Sequence, residues 1–174
     1  MGKVIWTYCD APIVDQSNWT KVETAIWCPG GGSYFQSFKP NFSKLAGVDL
    51  NIRTVNWQEN SSFDSKVNIR ESVNGIPGNI ILATGQWAIF NEILFSGDSI
   101  SHVFNPALTL TPNQEYFIEW ISPDTIRVPD TSRLQSLSLG RTNTDSYELG
   151  NLFSKCGETI FPSTEDMIFR TRSL

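Results

Sequence analysis

The sequence predicts an all-β protein, a two-sheet antiparallel β-sandwich of jelly-roll type forming a single domain over residues 1–174. Three observations predict it. Apolar and polar residues alternate with period two in one segment after another, which sends one set of side chains to a core and the other to water. Turn residues punctuate the chain roughly every ten residues, the spacing of sandwich strands. No stretch carries the 3.6-residue spacing with caps that a long helix needs, and FSKLAG at Phe42–Gly47 amounts to one helical turn at most.

The elements follow in order. WTKVETAIW and SYFQSF supply two early strands. In AGVDLNIR, Val48, Leu50 and Ile52 point inward, while Asp49, Asn51 and Arg53 mark a half-buried strand. KVNIRES repeats the pattern, with Val67 and Ile69 inside and Asn68 and Arg70 outside. VNGIPGN then offers Asn-Gly and Pro-Gly, the positive-φ and fixed-φ residues of a turn, before NIILATG runs as the next strand. EILF at 92–95 and the segment around Val103 are further strands. Leu108 and Leu110 alternate with Thr109 and Thr111, and Pro112-Asn113 turns the chain. Tyr116, Ile118 and Trp120 share one face of the strand beyond; Phe117, Glu119 and Ile121 share the other, whose charge predicts a partly covered surface. Trp120 reads as core. LQSLSLG at 134–140 and DMIFRTR at 166–172 complete a set of about ten strands, the last pairing with an N-terminal one.

Composition narrows the partners. The chain holds 13 Lys and Arg against 18 Asp and Glu, for a net charge of -5 with no basic run, so a phosphate backbone has nothing to grip. There is no span of about 20 apolar residues to cross a membrane as a helix, and MGKVIWTYCD lacks the layout of a signal peptide. Cys9, Cys28 and Cys156 form no CxxC pair and have one histidine for company, too few ligands for structural zinc. A Cys9–Cys28 disulfide and three free thiols both remain open.

Taken together, QSFKP at 36–40, LAGVDLNI, VNIRES, PGNIILATG, FNPALTLTPNQEYFIEW, SYELGNLF and DMIFRTRS resemble the ordered landmarks of jelly-roll accessory modules in secreted bacterial proteins, carbohydrate-binding modules in general shape. The likeness spans residues 34–172; the segment through Gly32 has no counterpart in it. It implies an extracellular or cell-surface, lectin-like module with a polysaccharide or glycan as partner and no catalysis of its own. It transfers no binding site.

The candidate site residues come from the sequence itself. Sugar recognition needs aromatic rings against apolar pyranose faces and amide, carboxylate or guanidinium groups for the hydroxyls. Trp57 lies in the polar stretch TVNWQENSSFDS, and Trp87 follows Gly85-Gln86 at a strand end. Tyr147, in TNTDSYELG, together with Arg127 and Arg141 makes a rim of donors and acceptors on neighbouring loops. Asp124, Asp130 and Asp145 are the hard oxygen donors for one structural calcium, which the resemblance also implies.

Enzyme chemistry finds less. A serine or cysteine nucleophile would need His102, the one histidine, and no GxSxG elbow or P-loop exists. A small polysaccharide hydrolase or lyase would rely on Glu92, Glu119, Asp124 and Glu148 converging in space. The remaining alternative is a structural or adhesive surface or virion protein that presents an apolar protein interface and forms an oligomer.

Overall fold

The computed structural model describes residues 12–19, 24–26, 32–55, 62–90, 99–122, 126–127, 134–142 and 147–174. Among these the regular structure is entirely strand: β1 (Ile13–Asn18), β2 (Thr24–Ile26), β3 (Gly32–Phe38), β4 (Lys44–Val55), β5 (Ser62–Val73), β6 (Ile76–Phe90), β7 (Ser99–Thr109), β8 (Tyr116–Ser122), β9 (Ile126–Arg127), β10 (Leu134–Arg141), β11 (Leu152–Cys156), β12 (Thr159–Pro162) and β13 (Phe169–Ser173). The helical turn allowed at Phe42–Gly47 does not form. Residues 41–43 are bends, and Lys44 already pairs with Thr109 in β4. The EILF segment lies outside the described residues, as do Cys9, Cys28 and the side chain of Cys156.

Two antiparallel sheets pack face to face as a β-sandwich. The first runs β1-β13-β4-β7, with β10 and β2 continuing alongside the far half of β4 and β9 on β10; the second runs β12-β11-β3-β8-β5-β6. Reduced to its eight principal strands, β1-β13-β4-β7 lies against β3-β8-β5-β6, which is the strand order of a jelly roll. The strand β13 pairs with β1 on one side and β4 on the other, so the pairing with an N-terminal strand expected for DMIFRTR is present.

Alternation explains the core. Val48, Leu50 and Ile52 from β4, Val67 and Ile69 from β5, and Ile118 and Trp120 from β8 are fully buried between the sheets. The Trp120 ring stacks on Tyr34 with centroids 5.9 Å apart. Turn chemistry also acts as expected at Asn74 and Gly75, both at positive φ in the β5–β6 hairpin. Pro77-Gly78, by contrast, is absorbed into β6 rather than turning the chain.

The outer faces depart from the half-buried expectation. Asp49 and Asn51 are sealed, because Arg172 Nη2 from β13 lies 2.5 Å from Asp49 Oδ2 and Ser101 Oγ from β7 donates to Asp49 Oδ1. On the second sheet Phe117 is buried against the edge of Phe153, and Glu119 accepts from Asn68 Nδ2 and Arg70 Nε at 2.7 Å each. A charged residue in a strand marks a wet face only when no neighbouring strand supplies its counter-charge. Here the flanking strands supply it.

Candidate functional site

The sandwich has two margins where the sheets meet, and they are built differently. At one, β3 and β11 face β1 and β13. At the other, β6 and β7 are the free edges of their sheets.

At the second margin β6 packs tightly on β7 at Gly85. A side chain there would place its Cβ 3.2 Å from His102 Cβ and 3.3 Å from the Phe104 ring, so the approach depends on having none. Beyond Gly85 the two strands part. In β7, Leu108 pairs with Leu45 and Val103 with Gly47, which leaves residues 104–107 opposite Ala46 alone. In β6, Ile81 pairs with Arg70 and Pro77 with Ser72, which leaves residues 78–80 opposite Glu71 alone. Both are bulges, and Asn105-Pro106 accounts for the first, since proline brings no N–H to the ladder. Arg70 Nη1 fills the second by donating to the carbonyls of Gly78 and Asn79.

Beside the β7 bulge and the β6 register shift at Leu82 lies a cleft of about 340 Å³ with Leu82, Ala83 and Thr84 on one wall and residues 104–109 on the other. That size is in the range of small-ligand sites, roughly 300–1,000 Å³. Leu82, Phe104, Pro106 and Leu108 give it apolar surface, and Thr84, Asn105 and Thr109 give it hydroxyl and amide groups. None of the described residues lining it is charged. Lys44 stands at the Thr109 end, its Nζ donating to Thr109 Oγ1 at 2.6 Å.

Behind the seam lies a buried trio. Ser65 Oγ is 2.8 Å from His102 Nε2 and accepts from Trp120 Nε1 at 3.1 Å. Burial pushes the His102 imidazole down to about 4, with Asp49 and nearby backbone groups opposing the shift, so the ring is neutral at pH 7. Its Nδ1 has no hydrogen-bond partner among the described residues. A serine beside a histidine is nucleophile chemistry in outline, but both are sealed from solvent and no substrate carbonyl could reach Ser65.

The sequence-derived site residues scatter. Trp57, Asp124, Asp130 and Asp145 lie outside the described residues; Trp87 falls in β6 and Arg127 in β9, with their side chains likewise outside. Arg141 is half-buried at the end of β10 in an ion pair with Glu165, and its charge partly offsets the burial that pushes Tyr34 up to about 12. Tyr147 is not on a rim. It is 6% exposed, its ring meets the edge of Phe169 at 5.1 Å, and its hydroxyl donates to Gln16 Oε1 at 2.8 Å. Burial raises its phenol well above the ordinary tyrosine value. Loop context hid this, because a tyrosine flanked by acids looks exposed until its backbone N–H is seen donating to the buried Asp166.

Among the described residues no cluster of His, Cys, Asp and Glu is arranged for a metal. No protein-family model matches the chain, and no curated protein matches it.

The cleft residues Leu82, Thr84, Asn105, Pro106 and Thr109 were not singled out by sequence. Two signals pointed there: an Asn-Pro pair inside an alternating strand, and the unbroken apolar run Ile80-Ile81-Leu82 on what proves to be a sheet edge.

Proposed function

We propose that this chain is a non-catalytic binding module for a polysaccharide or glycan, acting outside the cell or at its surface, with the β6–β7 cleft holding the sugar. The observation that carries the reading is the cleft itself, which lies where β7 bulges at residues 104–107 and β6 shifts register at Leu82, and which is lined by both apolar walls and uncharged hydrogen-bonding groups. A pyranose has the same division, apolar C–H faces and a hydroxyl rim; Pro106 and Leu108 suit the first, and the Asn105 amide suits the second together with Thr84 Oγ1, which donates its hydrogen to Asn68 Oδ1 and keeps its acceptor side.

The acids argue in the same direction. Glu119 is held by Arg70 and Asn68, Asp49 by Arg172 and Ser101, and Glu165 by Arg141, so these carboxylates serve the fold rather than a glycosidic bond. A glycan array probed with the whole chain tests the proposal. Binding that Asn105→Ala weakens supports it; an array blank across neutral and acidic glycans rejects it.

One observation favours a second reading, a protein interface. Strand β6 has no charged residue from Ile76 to Phe90, and Ile76, Ile80, Ile81 and Leu82 are exposed along it. Light scattering that finds a defined oligomer, dispersed by Ile80→Lys, would favour that reading.

A further inference from the structure

Resting on the glycan reading, we propose that the sugar in the cleft is an acidic one, a hexuronate unit whose carboxylate is held by Lys44 and Thr109 while its ring lies between Leu82 and the bulge at residues 104–107. The argument begins with a donor pair. Thr109 lines the cleft, and its Oγ1 already accepts from Lys44 Nζ. A hydroxyl that accepts from an ammonium keeps its own hydrogen to donate, and the bond polarises it toward doing so. Lys44 in turn keeps two further N–H groups. Hydroxyl and ammonium together thus offer a carboxylate two adjacent donors, one of them charged.

The cation is also uncommitted. No described carboxylate pairs with Lys44; the ion pairs are Arg70–Glu119, Arg141–Glu165 and Arg172–Asp49, and the neighbouring Ser101 and Arg172 take both oxygens of Asp49. In a chain of net charge -5, an ammonium paired with no described carboxylate, beside a cleft whose described lining is uncharged, is a local exception to the overall charge. It selects for negative charge at one end of the ligand only. A polyphosphate, with more than one charge per unit, would meet a single described cation and no described arginine fork, whereas one carboxylate per sugar fits one lysine.

The test is calorimetric titration of the whole chain with trigalacturonate, its methyl ester and cellotriose, each at low and at physiological salt. The acid trimer is expected to bind at least about tenfold more tightly than the ester, and added salt to narrow the gap. Lys44→Gln should erase that preference, Lys44→Arg should keep most of it, and Asn105→Ala should weaken acid and ester alike. Equal affinity for acid and ester, or an unchanged preference in Lys44→Gln, overturns the acidic specificity and leaves the glycan reading standing. No binding by any of the three sugars, or by a mannuronate trimer run beside them, overturns the acidic specificity, and the glycan reading falls with it only if the glycan array is blank as well.

Discussion

The two margins of this sandwich solve the same problem in opposite ways. Where β3 and β11 meet β1 and β13, the gap is stitched by buried polar groups. Gln36 donates to Asp166 Oδ1 and accepts from the N–H of Met167, the N–H of Tyr147 donates to Asp166 Oδ2, the Tyr147 hydroxyl donates to Gln16, and Asn18 donates to the Met167 carbonyl. Where β6 meets β7 there is a glycine, a neutral histidine bonded to a serine, and then open space. At the first margin these described polar groups are bonded to one another in the interior. The second touches at one seam and leaves Thr84, Asn105 and Thr109 exposed, Thr84 donating to Asn68 and Thr109 accepting from Lys44. The cleft is less an added feature than a margin left unstitched.

The sharpest way to break the contrast is Asp166→Ala. It strands the Gln36 amide and the Tyr147 N–H in the closed margin, and losing a buried charge with several partners should cost about 4 kcal/mol in urea unfolding. Next comes a pair of glycines. A Cβ at Gly150 would overlap the Ser37 carbonyl oxygen, while one at Gly85 meets atoms only at 3.2–3.3 Å. Gly150→Ala should therefore cost about 3 kcal/mol and Gly85→Ala about 1 kcal/mol by the same assay. If the two costs are equal, the margins do not differ in tightness.

Acid probes the seam. Folded His102 titrates near 4 and the unfolded residue near 6.5, so between those values the unfolded chain takes up a proton that the folded one refuses. Stability is full above pH 6.5 and falls as pH drops, by between about 2 and 3 kcal/mol at pH 4.5. Unfolding curves at pH 7.0, 5.5 and 4.5 should show that slope in the native chain and a flatter one in His102→Gln. The smallest expected change in stability belongs to Asn105→Ala, an exposed cleft residue, at under about 0.5 kcal/mol, although binding should suffer.

How far the sequence could be read follows from the range of the interactions. Val48, Leu50, Ile52, Val67, Ile69 and Trp120 were legible because alternation is local, and Asn74-Gly75 because a hairpin turn is local too. The burial of Glu119 and Asp49 was not, since their covers, Arg70 and Arg172, stand on adjacent strands 49 and 123 residues away. Tyr147 failed for the same reason: its partner Gln16 is 131 residues distant. The cleft is the extreme case. It lies beside the β7 bulge at 104–107 and the β6 register shift at Leu82, each visible only as a mismatch in pairing between strands, and next to Gly85, where β6 touches β7.

The pairing of β13 with β1 and β4 has a kinetic side. Thr171 accepts from the N–H of Gln16 across 155 residues, and Arg172 reaches Asp49 across 123. Until β13 has been made, β4 lacks its partner on that side and Asp49 its counter-charge. The first sheet therefore closes late, by contacts of high sequence separation, and β1 and β4 must wait for it.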